Sequence, residues 1–144
     1  SLLSRLVIPE SITLSIDLPD LFIFADSMIQ KVFFTLLDNS IRHGQKVSHI
    51  RVSATEADGN LIIVWEDDGA GVEDDEKEGI FEKGFGKNTG YGLFLAREIL
   101  SLTDIKISEK GEPGKGARFE MIVPKEAVRR AGSDSSPPDG GMIR

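Results

Sequence analysis

An apolar segment that runs into paired carboxylates and two glycines is the feature that most limits how this chain folds. Residues 61–65 read Leu-Ile-Ile-Val-Trp, and residues 66–72 read Glu-Asp-Asp-Gly-Ala-Gly-Val. The apolar run predicts a buried strand, and the glycines allow a sharp turn directly after it. Asp68 is therefore predicted to lose solvation there and to need a donor, such as the amino group of a flat heterocycle. The alternative is an ordinary Asp-Gly turn that closes a hairpin.

Helical spacing predicts a helix between Asp26 and Gly44. Asn39 lies where its apolar and polar stripes meet, and an amide oxygen there suits a hard cation such as Mg²⁺. The alternative is an ordinary surface helix that Gly44 caps. The apolar stripe comprises Met28, Ile29, Val32, Phe33, Leu36, Leu37 and Ile41. The polar stripe comprises Lys31, Thr35, Asn39 and Arg42.

A glycine-rich stretch at residues 84–93 leads into a second predicted helix. Glycines let backbone amides approach phosphate oxygens, and the helix start adds unpaired N–H groups and a positive dipole end. A dinucleotide fingerprint needs a strand just before the glycines, but residues 73–83 are charged and loop-like. The P-loop pattern is also absent, because no Gly-Lys-Ser/Thr ends the run. The stretch therefore predicts a nucleotide site of another kind.

The other periodic segments predict an α/β (α+β) two-layer sandwich, in which two helices cover one face of a mixed, mostly antiparallel sheet. A hairpin is predicted around Asp58-Gly59. The predicted strands are residues 11–18, 21–25, 49–55, 60–66, 105–108 and 117–123.

In this order the segments resemble the ATP-binding catalytic domain of sensor histidine kinases, in the wider GHKL or Bergerat superfamily that includes gyrase. The match covers about residues 10–125 and implies a Bergerat-type ATP-binding fold with a mobile lid at residues 73–87. The matching segments are residues 33–44 (asparagine box), 68–71 (first glycine box), 80–85 (phenylalanine box), 88–93 (second glycine box) and 114–119 (last turn and strand).

The resemblance implies a role for each matching residue, with ATP and Mg²⁺ as cofactors. Asn39 is implied as the magnesium ligand and, with Arg42, as catalytic. Asp68 is implied to bind the adenine amino group, and Gly69 and Gly71 to make room for the base. The implied nucleotide-binding set is Asn39, Arg42, His43, Asp68, Gly69, Gly71, Lys83, Lys87, Thr89, Gly90, Tyr91, Gly92 and Leu93.

Thr35 departs from the family pattern, which has a second asparagine in kinases and a glutamate in ATP-hydrolysing relatives. Threonine cannot act as a general base near neutral pH, which argues against autonomous ATP hydrolysis. Asn88 stands where glycine is common. The leading hypothesis is a protein histidine kinase domain in two-component signalling. The alternatives are a catalytically degenerate nucleotide-sensing module and an anti-sigma-type serine/threonine kinase.

The phosphoryl acceptor is predicted to lie outside this chain. Neither His43 nor His49 is followed by the pattern of the family's acceptor helix. The resemblance implies that the acceptor histidine lies on a separate helical hairpin, with a response regulator as an indirect partner.

Composition limits the class and the partners. The 144 residues include no cysteine and carry a formal net charge of −7, which argues against nucleic-acid binding and against direct membrane contact. We predict a cytoplasmic, monomeric domain at residues 1–125. Residues 126–144 are predicted to form a disordered tail, because residues 131–144 are rich in Gly, Ser, Pro and Asp and residues 125–130 are basic.

Overall fold

The computed structural model describes the backbone of residues 8–17, 21–23, 29–43, 46–82 and 92–130, and side chains within 8–17, 30–42, 46–82 and 92–126. These residues form β1 (Thr13–Asp17), β2 (Leu21–Ile23), α1 (Ile29–His43), β3 (His49–Ala57), β4 (Asn60–Asp67), α2 (Gly92–Ser101), β5 (Lys106–Glu109), β6 (Arg118–Val123) and β7 (Val128–Arg130). Short 3-10 helices also lie within the described residues, at Asp74–Glu76, Gly79–Phe81 and Lys125–Ala127.

The main sheet has five strands in the order β1-β3-β4-β6-β5. β1 runs parallel to β3, and the other neighbouring pairs are antiparallel. β2 and β7 form a separate antiparallel pair. The hairpin predicted around Asp58 and Gly59 is confirmed, because β3 and β4 pair along their length on either side of it.

The core lies between one face of this sheet and the two α-helices. Alternate residues of β4 point into it, and the Trp65 ring stacks on Phe33 of α1 with centroids 6.1 Å apart. Phe119 of β6 meets the Phe81 ring edge-on at 6.2 Å. On the opposite face of the sheet, Arg118 forms ion pairs with Glu66 and Glu120. The predicted two-layer α/β fold is therefore confirmed.

The predicted start of the C-terminal tail differs from the structure. The prediction places residues 126–144 in the tail, yet Val128–Arg130 form β7 and pair with β2. A strand can pair through its backbone amides and carbonyls without adding much apolar surface. The boundary at residue 125 is therefore too early, and residues 131–144 lie outside the described part of the chain.

The solvated lid predicted from Glu73 to Lys87 is also only partly comparable with the structure. Ile80 and Phe81 are buried in the core, so the prediction is wrong for this part. These two apolar side chains pack into the core, although the acidic residues around them make the average composition of the segment that of a solvated loop. Residues 83–87 lie outside the described residues. Among the described residues, no helix is both long enough and apolar enough to cross a bilayer.

Candidate functional site

Asp67 is a buried carboxylate at the end of β4. Leu61, Ile63 and Trp65 point toward the helices, and strand alternation places Asp67 on the same side. Its Oδ2 accepts a hydrogen bond from the Ser40 hydroxyl at 2.7 Å. Its Oδ1 accepts from the backbone N–H groups of Gly69 at 2.9 Å and Ala117 at 3.0 Å. These donors fix the carboxylate and leave Oδ2 able to accept one more bond.

Asp68 points to the other side and is not buried. Its side chain is 43% exposed, so the predicted loss of solvation is wrong. The carboxylate accepts from the Ser48 hydroxyl at 2.6 Å and from the backbone N–H groups of Ser48 at 2.8 Å and His49 at 3.1 Å. The Ser48 hydroxyl bond, helped by these backbone bonds, holds the pKa of Asp68 well below its usual value. Asp68 therefore anchors the start of β3 to the end of β4.

Ser40 connects the buried carboxylate to the core. Its hydroxyl accepts a hydrogen bond from the Trp65 indole N–H at 3.1 Å while donating to Asp67. Asn39 precedes Ser40 on α1, is half-buried and makes no side-chain hydrogen bond to the described residues. The predicted metal ligand therefore lies next to the residue that touches Asp67.

Arg42 lies on the exposed side of α1. Its guanidinium donates to Asp38 at 2.8 Å, one helical turn earlier. The structure therefore pairs the Arg42 guanidinium with Asp38 and not with Asp67. His43 ends α1, and its side chain lies outside the described residues.

The start of α2 lies against α1. A Cβ built on Gly92 comes within 3.4 Å of the Thr35 methyl carbon, one helical turn before Asn39. The start of α2 therefore meets α1 one turn before Asn39, and a helix start favours anions. Leu93 is partly buried and packs on the core. The remaining predicted phosphate contacts lie outside the described residues: Lys83, Lys87, Thr89, Gly90 and Tyr91.

The glycine loop, residues 68–72, packs against the connection between β5 and β6, residues 110–117. A Cβ on Gly71 would lie 2.9 Å from the Gly116 carbonyl oxygen. The Gly114 N–H donates to the Ala70 carbonyl at 2.8 Å. Close backbone packing therefore requires glycine at position 71, with or without a ligand.

An adenine nucleotide fits the chemistry of these residues. A buried carboxylate with an unused acceptor position can bind an exocyclic amino group, and the helix start can bind phosphate. Within the described part of the chain, no three His, Cys, Asp or Glu side chains group to hold a metal. An amide such as Asn39 suits Mg²⁺ that takes its other ligands from phosphates and water.

Comparison with known proteins identifies the family. A family model described as "Histidine kinase-, DNA gyrase B-, and HSP90-like ATPase" matches residues 25–127, which include α1, the glycine loop and α2. The chain belongs to this family. The resemblance predicted from the motifs is confirmed, and the chain is an ATP-binding domain of the sensor histidine kinase type.

Two curated relatives show how much of a longer protein this domain represents. The alginate biosynthesis sensor protein KinB of Pseudomonas aeruginosa is 35% identical over 104 residues, which cover 67% of this chain and 17% of KinB. The sensor protein PhoQ of Escherichia coli K12 is 30% identical over 133 residues, which cover 88% of this chain and 27% of PhoQ. The chain thus spans only a minor part of either relative.

Solved structures share the fold. Full-length ShkA in complex with AMPPNP matches with a TM-score of 0.72 at 22% identity, covering 85% of this chain and 27% of ShkA. The mycobacterial sensor histidine kinase MprB matches with a TM-score of 0.71 at 18% identity, covering 83% of this chain and 84% of that one.

Sequence reasoning missed Asp67 and Ser40. The alternation of Leu61, Ile63 and Trp65 is the available signal, since it places Asp67 inward and Asp68 outward. Ser40 carries no comparable signal, because its role depends on where α1 crosses the end of β4.

Proposed function

We propose that this domain binds Mg-ATP and donates the γ-phosphate to a histidine on a separate helical domain. The observation that carries the proposal is the buried Asp67, which Ser40 of α1 holds by a hydrogen bond, while the start of α2 meets the same helix at Thr35. Membership of the family supports ATP as the nucleotide. We place the domain in the cytoplasm, as a module of a longer sensor kinase whose response regulator receives the phosphate later.

Asp67, rather than Asp68, is our proposed acceptor for the adenine amino group. Asp67 is buried and oriented by three donors, whereas Asp68 is committed to Ser48 and His49. A hydrogen bond to a charged group in a desolvated site contributes more than one in solvent.

Phosphoryl transfer in this proposal depends on positioning. The start of α2 binds the phosphates, and Asn39 supplies one oxygen ligand for magnesium, which neutralises phosphate charge when bound. A nitrogen of the partner's histidine attacks the γ-phosphorus. The bond from that phosphorus to the β–γ bridging oxygen breaks, and ADP leaves with the electron pair. In this proposal Arg42 leaves Asp38 and binds phosphate when nucleotide binds.

Thr35 supports transfer to a partner over autonomous hydrolysis. Its hydroxyl donates to the Lys31 carbonyl at 2.9 Å, within α1. This side chain therefore provides no general base for an attacking water. A kinase whose nucleophile comes from another domain does not need one at this position.

The first experiment compares two adjacent isosteric variants, Asp67→Asn and Asp68→Asn, by calorimetric titration with ADP. The single amide oxygen at position 67 is needed for the existing donors, so no acceptor remains for the base. We expect Asp67→Asn to weaken binding about 10- to 100-fold, which corresponds to a charged hydrogen bond of roughly 1.5–3 kcal/mol. Asp68→Asn should change affinity less than about threefold. The reverse order would show that Asp68 contacts the base.

The second experiment tests transfer, with radiolabelled ATP and a histidine-bearing helical hairpin supplied in trans. We expect acid-labile phosphate on the hairpin, and no transfer with Asn39→Ala. Acid-stable product would instead indicate a serine/threonine kinase. Nucleotide binding without transfer to any acceptor would favour the nucleotide-sensing module.

A further inference from the structure

Lys77 is an almost buried cation that the proposed reaction does not use. It lies between the two 3-10 helices that follow the glycine loop, and its side chain is 18% exposed. Its ammonium donates to the carbonyls of Val72 at 3.1 Å and Gly111 at 2.8 Å, and it pairs with the Glu109 carboxylate. An ammonium has three protons, and each has a partner here.

Glu109 is completely buried, and its carboxylate is also fully engaged. Besides Lys77, it accepts hydrogen bonds from the backbone N–H groups of Gly111 at 3.1 Å and Arg118 at 2.9 Å. A buried ion pair is weak evidence for stability, since apolar replacements of similar volume are often as stable. The geometry that this pair imposes is therefore of more interest than its contribution to folding.

The Lys77–Glu109 pair joins the end of the glycine loop to β5 and the β5–β6 connection. Val72 ends the glycine loop. Glu109 is the last residue of β5, and Gly111 lies in the β5–β6 connection. The Gly114 N–H donates to the Ala70 carbonyl within the loop at 2.8 Å, and at the end of β4 the Asp67 N–H donates to the Ala117 carbonyl at 3.0 Å. Lys77 completes this attachment at the far end of the loop.

We propose that Lys77 is a positioning residue, which with Glu109 holds the glycine loop in its nucleotide-binding conformation before nucleotide arrives. This inference rests on the proposed function. A glycine-containing loop has many accessible conformations when free, and binding must then select one of them. If only a fraction of molecules has the loop in place, the apparent dissociation constant rises by the inverse of that fraction.

The test removes the attachment without leaving a buried charge. Lys77→Met combined with Glu109→Gln deletes the donors to Val72 and Gly111, and the glutamine keeps an acceptor oxygen for the backbone. The matched control is Lys115→Met combined with Glu112→Gln. That ion pair lies on the same β5–β6 connection but is exposed, with side chains 77% and 68% accessible. Both double variants remove one positive and one negative charge.

Two measurements are made on each protein, after circular dichroism has established that it is folded. ADP affinity should fall about tenfold in the Lys77 variant if the loop is in place in about a tenth of unliganded molecules, and should not change in the control. Hydrogen exchange at the Gly69 amide and at the Gly114 amide, which donates to Ala70 of the loop, should accelerate about tenfold without nucleotide in the Lys77 variant only.

A folded Lys77 variant with unchanged affinity and unchanged loop exchange would overturn the inference, since a merely structural pair moves neither value. If the methionine variant does not fold, Lys77→Gln with Glu109→Gln replaces it. Its glutamine at position 77 has two N–H donors on a shorter side chain, so it cannot replace the three bonds of the ammonium. Weaker loop protection than wild type therefore supports positioning, and equal protection opposes it. Failure of the wild-type domain to bind ADP would contradict the proposed function instead, and loop exchange would still decide the role of Lys77.

Discussion

The hydrogen-bonded chain from Trp65 through Ser40 to Asp67 makes Ser40→Ala the most informative single substitution. The Ser40 side chain is 1% exposed and Trp65 is 0% exposed, so water cannot replace the lost hydroxyl without repacking. The substitution leaves the indole N–H unpaired, which costs about 1–3 kcal/mol, and removes one charged bond from Asp67. Because one hydroxyl serves both partners, the two effects overlap, and we expect a total loss of about 2–4 kcal/mol.

Urea unfolding followed by circular dichroism measures this loss. Ser101→Ala is the matched control, since the Ser101 hydroxyl is exposed and donates to the Glu98 carbonyl, one turn earlier in α2, at 2.7 Å. It should change the unfolding free energy by less than about 0.5 kcal/mol. ADP affinity should also fall in Ser40→Ala, because Asp67 loses one of the donors that orient it. An unfolding free energy equal to that of the control would refute the reasoning.

Two further predictions concern the same end of the sheet. Gly116→Ala should cost at least about 3 kcal/mol in urea unfolding, because its φ is 120° and its Cβ would lie 1.9 Å from the Asp67 carbonyl oxygen. Gly114→Ala, also left-handed but with no atom within 4 Å, should cost about 1–2 kcal/mol, and equal losses would contradict the packing argument. The lowered pKa of Asp68 gives stability that is complete above about pH 4 and declines as pH falls further. Ser48→Ala removes the main cause, so the unfolding free energy should decline less steeply between about pH 4 and pH 2 than in wild type, and an equal slope would oppose this assignment.

The fold could be predicted because its signals are local. Alternating and helical spacing marked the strands and both helices, and the Asp58-Gly59 pair marked the hairpin. β7 could not be found this way, since its formation depends on β2 lying beside it. The buried Ile80-Phe81 pair was hidden within a strongly acidic stretch, where charge density outweighs two apolar residues in any average over the segment.

The candidate site was predicted in outline but displaced by one residue. The Asp-Gly dipeptide drew attention to Asp68, although strand alternation assigns the inward direction to Asp67. Ser40 bonds to Asp67 across 27 sequence positions, and Lys77 bonds to Glu109 across 32. Such contacts follow from the way strands and helices cross, and the spacing of residues along the chain does not contain that information.

The stacking of Phe33 on Trp65 and the bond from the indole to Ser40 have a practical consequence. Trp65 is the only tryptophan in the sequence, and it lies one hydroxyl away from the carboxylate that we assign to the base. Its near-ultraviolet absorption and emission therefore report on that carboxylate without an attached dye. The domain carries a built-in optical probe at the point where recognition of the base and packing of the core meet.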